Sequence, residues 1–175
     1  MRKLKLYIAI SLDGYIAKPD GSVEWLESLP NPENTDYGYA AFYETTDTLL
    51  MGHATYKVLQ GFNIPWPYPG RKVFIFTRNS ALNGNDEVKY VSGDIVAFTQ
   101  NLKTTAGKDI WLVGGGEINM VCLQAGLIDE IWVHIMPVVL GEGIPLLAHA
   151  PFEKRLQLQR SKVYASGAIE AVYTL

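Results

Sequence analysis

The chain has 175 residues, 48% of them hydrophobic, with a formal net charge of −3 and a pI near 5.6. That length supports one well-buried core and is short for two, so a single domain over residues 1–175 is expected. No cluster of Lys and Arg stands beside aromatic residues as a nucleic-acid partner requires, and no apolar run approaches the roughly 18 residues of a membrane span.

From the N-terminus, Met1-Arg2-Lys3-Leu4-Lys5 leads into a short apolar stretch without a small-residue cleavage site, so a cytoplasmic protein is expected. Leu4 to Leu12 reads as a strand, broken by Asp13-Gly14 before Tyr15-Ile16-Ala17. Asp-Gly at that position is also a hairpin signal, and both readings stand. Val23 to Leu29 has apolar residues at helical spacing, ended by Pro30 and Pro32. Residues 31–37 read as a loop and Tyr39 to Thr45 as a helix. Asp47 to Gly52 is a short buried strand, and His53 to Gln60 is a helix stopped at Gly61.

Three prolines between Ile64 and Gly70 exclude a helix, so Phe62 to Gly70 is an extended loop covering either a ligand or the core. Lys72 to Thr77 and Val88 to Val91 are strands, and Gly93-Asp94 begins a helix to about Thr105. Asp109 to Val113 then runs directly into Gly114-Gly115-Gly116, after which Ile118, Val121, Cys122 and Ala125 recur at helical spacing. Cys122, the only cysteine, lies on that apolar face, which points to burial rather than reactivity. Ile131 to Met136 is a strand and Pro137 to Pro145 a loop. Leu156 to Tyr164 and Ala168 to Leu175 alternate around Ser166-Gly167 as a hairpin. Strands alternating with helices and ending in an antiparallel pair predict an α/β mixed central sheet flanked by helices.

The triple glycine is the chemically informative stretch. Glycines between a strand and a helix let the backbone approach a ligand, and the free N–H groups of the helix start favour a phosphate. A dinucleotide fingerprint would need glycine where Asn119 stands and an acidic residue at the end of the next strand, whereas Asp129-Glu130 precede it. No Lys follows the glycines as in a Walker loop. His53, His134 and His149 show no paired spacing, so no metal is expected. His53, at a helix start, suits a ligand; His134, in an apolar strand, reads as a satisfied core or interface residue.

Two strand–glycine–helix units together with Thr77-Arg78-Asn79 resemble the dihydrofolate reductase-like fold. The resemblance is closest to the C-terminal reductase domain of the riboflavin-biosynthesis deaminase-reductase. It is carried by Ser11 to Ala17, Leu50 to Tyr56, Val113 to Glu117, Leu127 to Glu130 and Pro137 to Gly143. The resemblance implies an NADPH-dependent reductase of a pteridine, pyrimidine or related heterocycle. It places the cofactor on Ala9, Ile16, Gly52, His53, Thr55, Thr77, Arg78, Asn79, Val113, Gly114, Gly115, Gly116, Glu117 and Ile118, and the substrate beside Tyr7 and Trp25. Val113 stands where riboflavin reductase domains usually carry a substrate-contacting glutamate, and His53 where many relatives carry arginine, which leaves the 2′-phosphate to Arg78. The zinc-binding deaminase half has no counterpart, and relatives of this type imply a homodimer.

Reduction of an imine or carbonyl also requires a proton, and a carboxyl with a raised pKa is the residue type sought. The acid of dihydrofolate reductases, carried over by its offset from Trp25, falls on Pro30. Asp13 is the favoured candidate, as part of the most characteristic motif, with Glu27 and Asp36 as alternatives; a turn-forming role for Asp13 is equally compatible. A nucleotide-binding protein that keeps the fold without catalysis is the competing reading.

Overall fold

The computed structural model describes residues 1–175. In chain order the elements are β1 (Leu4–Ser11), β2 (Tyr15–Ala17), α1 (Glu24–Glu27), α2 (Tyr39–Glu44), β3 (Thr46–Gly52), α3 (His53–Gly61), β4 (Lys72–Thr77) and β5 (Val88–Ser92). There follow α4 (Ile95–Thr104), β6 (Asp109–Gly114), α5 (Gly116–Gln124), β7 (Glu130–Met136), β8 (Ile144–Pro145), β9 (Gln157–Val163) and β10 (Ile169–Thr174). One eight-stranded sheet runs in the order β5-β4-β3-β6-β1-β7-β10-β9. Neighbours from β5 through β7 are parallel, and β7–β10 and β10–β9 are antiparallel.

The parallel strands are near-continuous apolar runs because helices and loops cover both faces of the sheet. Alternate residues of one strand therefore enter different cores. Leu50, Ile110 and Leu112 join Leu4, Leu6, Cys122 and Leu123 on the side of α4 and α5. Leu49, Met51 and Trp111 join Phe42, Tyr56 and Tyr68 on the opposite side. Burial of each of these large side chains contributes about 1.5–3 kcal/mol. Tyr68 places the proline-rich 62–70 loop over this second core. Burial raises the Cys122 thiol to about 12, which keeps it a neutral core group.

The N-terminal ends of the parallel strands are closed by ion pairs. Lys5 Nζ meets Asp109 at 2.7 Å, Lys103 Nζ meets Asp129 at 2.6 Å, Lys3 Nζ meets Glu130 at 2.7 Å, and the Arg2 guanidinium meets Asp47. Chemistry is thereby left to the opposite edge, where the strands end in Ser11, Gly52 and Gly114.

Two local expectations change. Asp13-Gly14 is not the turn of a hairpin between consecutive strands: β2 pairs with β8, inside the stretch expected to be loop throughout. The Leu146 N–H donating to the Gly14 carbonyl at 3.0 Å continues this link. The helix expected over Val23 to Leu29 is only Glu24–Glu27, too short to hold itself without the burial of Trp25.

Candidate functional site

The helices α3 and α5 start directly at the ends of β3 and β6, which are adjacent in the sheet, so both N-termini face one crevice beyond the carboxyl edge. In doubly wound α/β sheets this is the place where ligands bind. Neither helix has a side-chain cap, whereas α4 is capped by Asp94, whose carboxylate accepts from Val96 N at 2.8 Å and Ala97 N at 3.0 Å. Two uncapped helix starts suit an anionic ligand. The crevice has a volume of ≈1190 Å³.

Its walls include every residue named above for the cofactor except Gly114. Gly114 is buried beneath them, where a β-carbon would stand 3.4 Å from the Asn119 amide. The remaining glycines have separate physical reasons. Gly115 holds φ +40°, which L-residues seldom adopt, and turns its backbone toward Thr55 Oγ1. Gly116 has an ordinary φ, but a β-carbon there would lie 2.4 Å from the Pro145 carbonyl oxygen. One glycine thus shapes the crevice and the other admits β8. At the mouth, the Arg78 guanidinium is 94% exposed and 3.1 Å from the Glu117 carboxylate. The His53 ring meets Tyr90 edge-on at 5.7 Å.

A second cavity of ≈430 Å³ shares Ala9 and Leu26 with the crevice. Tyr7, Tyr37, Tyr39, Leu29 and Met136 form its apolar walls, and Glu27, Asn31, Asp36 and His134 are its polar groups. Tyr7 stacks on Phe42 at 4.3 Å and donates its hydroxyl to the Tyr37 carbonyl at 3.2 Å. Tyr37 adopts φ +54°, followed by Gly38 at φ +82°, and this left-handed pair aims the Tyr37 carbonyl between Tyr7 and His134. Asp36 secures the turn by accepting from the N–H groups of Gly38 and Ala40, both at 2.9 Å. Those bonds, Ala40 first, hold its carboxyl below the usual carboxylate range.

His134 is 3% exposed, with Nε2 3.0 Å from the Tyr37 carbonyl and 3.3 Å from Glu170 Oε2. Glu170 also meets Arg160 at 3.1 Å. Burial lowers the His134 pKa, and the Glu170 charge partly opposes this. Burial likewise holds the Tyr7 hydroxyl protonated.

Of the candidate acids, Glu27 and Asp36 line this cavity, and Asp13 lines neither space. The Asp13 carboxylate instead accepts from Leu140 N at 3.1 Å and Gly141 N at 2.7 Å, tying the Pro137–Gly143 loop to the end of β1. Those bonds, led by one with Ser11, push it down to about 2, which makes it a turn-fixing anion rather than an acid. Trp25 is also displaced from its expected place: it is buried with Met136, Tyr164 and Ala168, one layer behind the cavity wall. Sequence reasoning placed His134 in the core and missed Tyr37 and Glu170. They meet because Ala9, His134 and Glu170 are lateral neighbours on β1, β7 and β10, a register that spacing along the chain does not reveal.

A mostly parallel sheet with paired uncapped helix starts and an adjoining aromatic cavity defines a dihydrofolate reductase-like domain. A dihydrofolate reductase from Enterococcus faecalis complexed with NADP(H) has this fold, with a TM-score of 0.71 at 17% identity, covering 98% of this chain and 95% of that one. The chain belongs to the RibD C-terminal domain family, whose model matches residues 69–169. It is 37% identical over 163 residues to the Bacillus subtilis protein YwjB, covering 93% of this chain and 92% of that protein. A crystal structure from Shewanella sp. PV-4, named for riboflavin biosynthesis, superposes with a TM-score of 0.86 at 31% identity and covers 98% of each chain. Family and neighbours together make this a reductase-like protein. No helix is long and apolar enough to cross a membrane.

Proposed function

We propose that the protein is an NADPH-dependent reductase of a planar pteridine- or pyrimidine-type heterocycle. The observation that carries this reading is the junction of the two cavities at Ala9 and Leu26, which brings a nucleotide-sized crevice against an aromatic one. NADPH, when bound, supplies a hydride to the heterocycle.

The chain's own part is position and proton supply. The first turns of α3 and α5 receive the pyrophosphate, and Arg78 receives the 2′-phosphate once it leaves Glu117. Tyr7 and Tyr39 give the heterocycle an aromatic wall. His134 delivers the proton, since the two cavity carboxylates serve poorly: Asp36 is held ionised and Glu27 is solvent-exposed.

The test is NADPH fluorescence and thermal stability of the purified chain, followed by NADPH oxidation across a panel of pteridines and aminopyrimidines. Absence of both quenching and stabilisation ends the reductase reading. Cofactor binding without oxidation across the panel favours the competing reading, a nucleotide-binding protein without turnover.

A further inference from the structure

We propose that the ≈430 Å³ cavity accepts uncharged or cationic heterocycles without phosphate and discriminates against phosphorylated ones. The proposal rests on the reductase reading only for the presence of a reducible ring. The selectivity itself comes from charge.

The carboxylates along this cavity are Glu27 and Asp36 and no Lys or Arg lines it; its one other titratable group of the acid–base range, His134, is paired with Glu170 at 3.3 Å, so that a protonated ring meets its own counter-charge. Phosphate recognition ordinarily uses Arg or Lys, or the free N–H groups of a helix start. The helix start at this cavity is that of α2, and Asp36 already fills it, accepting from Gly38 N and Ala40 N. An internal carboxylate thus stands where an incoming phosphate would have to bind.

The cations of the neighbouring β9 stand outside the cavity, Lys162 acting on the Asp36 charge from there. Arg160 pairs with Glu170 at 3.1 Å and lies 4.5 Å from the centre of the Trp132 ring, and Lys162 stands over the Tyr164 ring at 4.4 Å. Neither lines the cavity. A phosphate beside Glu27 and Asp36 meets like charge at the solvent-facing side of the cavity, where the repulsion is open to screening by salt. Exocyclic amino groups of a heterocycle find acceptors in the same two carboxylates. The arrangement therefore favours one ligand class while opposing the other, which is how specificity is commonly built. The contrast with the adjoining crevice is sharp: the ≈1190 Å³ space carries Arg78 and two uncapped helix starts, and so places phosphate recognition on the cofactor side alone.

The experiment is calorimetric binding of a 6-aminouracil riboside and of its 5′-phosphate to the full chain, with and without NADP. The riboside is expected to bind at least about tenfold more tightly, with the ratio shrinking as salt screens the carboxylates. In Glu27→Lys, an exposed position that leaves the fold intact, the ratio should fall by about tenfold. Equal or tighter binding of the 5′-phosphate by the unmodified chain, or binding of neither compound, overturns the proposal. The reductase reading fails separately, when NADPH is neither bound nor oxidised although the riboside is still preferred.

Discussion

His134 on β7 and Glu170 on β10 face one another in register, and Nε2 of the ring lies 3.3 Å from the carboxylate. The same nitrogen lies 3.0 Å from the Tyr37 carbonyl, so the protein's bonds to this ring are made at Nε2. If this pair supplies the proton, His134→Gln should lower turnover by roughly 10²–10⁴-fold while leaving the affinity for NADPH within about twofold. Stopped-flow measurement of hydride transfer separates the two, and an unchanged rate removes His134 from the chemistry.

The pH profile should carry the same signature. Burial holds the His134 pKa below its ordinary value, and the Glu170 charge pulls it back up. The donor is the protonated ring, so turnover should rise as pH falls toward about 6.5 and continue to rise below it, levelling only under the lowered pKa. Glu170→Gln removes the charge that favours protonation, and this limb should move to lower pH. A shift to higher pH, or none, contradicts the pairing.

Glycine substitutions should divide by cause. Gly115→Asp places a carboxylate against Thr55 at the proposed pyrophosphate seat, and the NADPH dissociation constant should increase at least about tenfold, with a loss of stability from the φ of +40° that Gly115→Ala shares and so measures separately. Gly116→Ala forces the Pro145 carbonyl to move away from a 2.4 Å approach. It should lower stability by about 1–3 kcal/mol in urea titrations, as overpacking does.

Arg78 is 94% exposed, so its removal should not be felt in the fold. Arg78→Ala should leave the melting temperature unchanged and reduce the preference for NADPH over NADH by about tenfold or more. Glu117→Gln frees Arg78 from a carboxylate at 3.1 Å and should shift that preference in the opposite direction.

At the far edge of the sheet, burial opposes ionisation of Asp109 and Glu130, yet both carboxyls titrate below their ordinary values. The Lys5 bond and the Lys3 N–H outweigh burial at Asp109, and the Lys3 and Trp132 bonds do so at Glu130. A depressed folded-state pKa adds stability above the unfolded value near 4, and that stability is lost as pH falls from about 5 through the lower folded value. Asp109→Asn should cost roughly 2 kcal/mol at pH 7, because it leaves the buried Lys5 charge with Glu130 at 4.0 Å as its nearest carboxylate and the neutral Thr45 hydroxyl at 3.3 Å. It should also flatten the loss of stability below pH 5, as read by urea titration at several pH values.

The crevice was legible because its signals are local. Leu50-Met51-Gly52-His53 and Leu112-Val113-Gly114-Gly115 each encode, within a few residues, a strand that must be buried, a turn and a helix start. Two such units in sequence are enough to predict paired helix ends at a sheet edge. The same local logic placed Cys122 in the core. It placed Gly115 and Gly116 in the crevice wall but could not disclose that Gly114 lies beneath it against Asn119, or that Gly116 also packs against Pro145.

The second cavity was not legible, for a reason of distance along the chain. Tyr7, the adjacent Asp36 and Tyr37, His134 and Glu170 come from four separate segments that share no spacing rule. Asp13 carried the more conspicuous motif and turned out to anchor a loop through Leu140 and Gly141. Sequence by itself determined the strands, the crevice glycines and the helix starts, since periodicity and turn chemistry act between near neighbours. Tertiary structure alone decided where His134 meets Glu170 and what charge the second cavity carries, because strand register and long-range burial set those relationships.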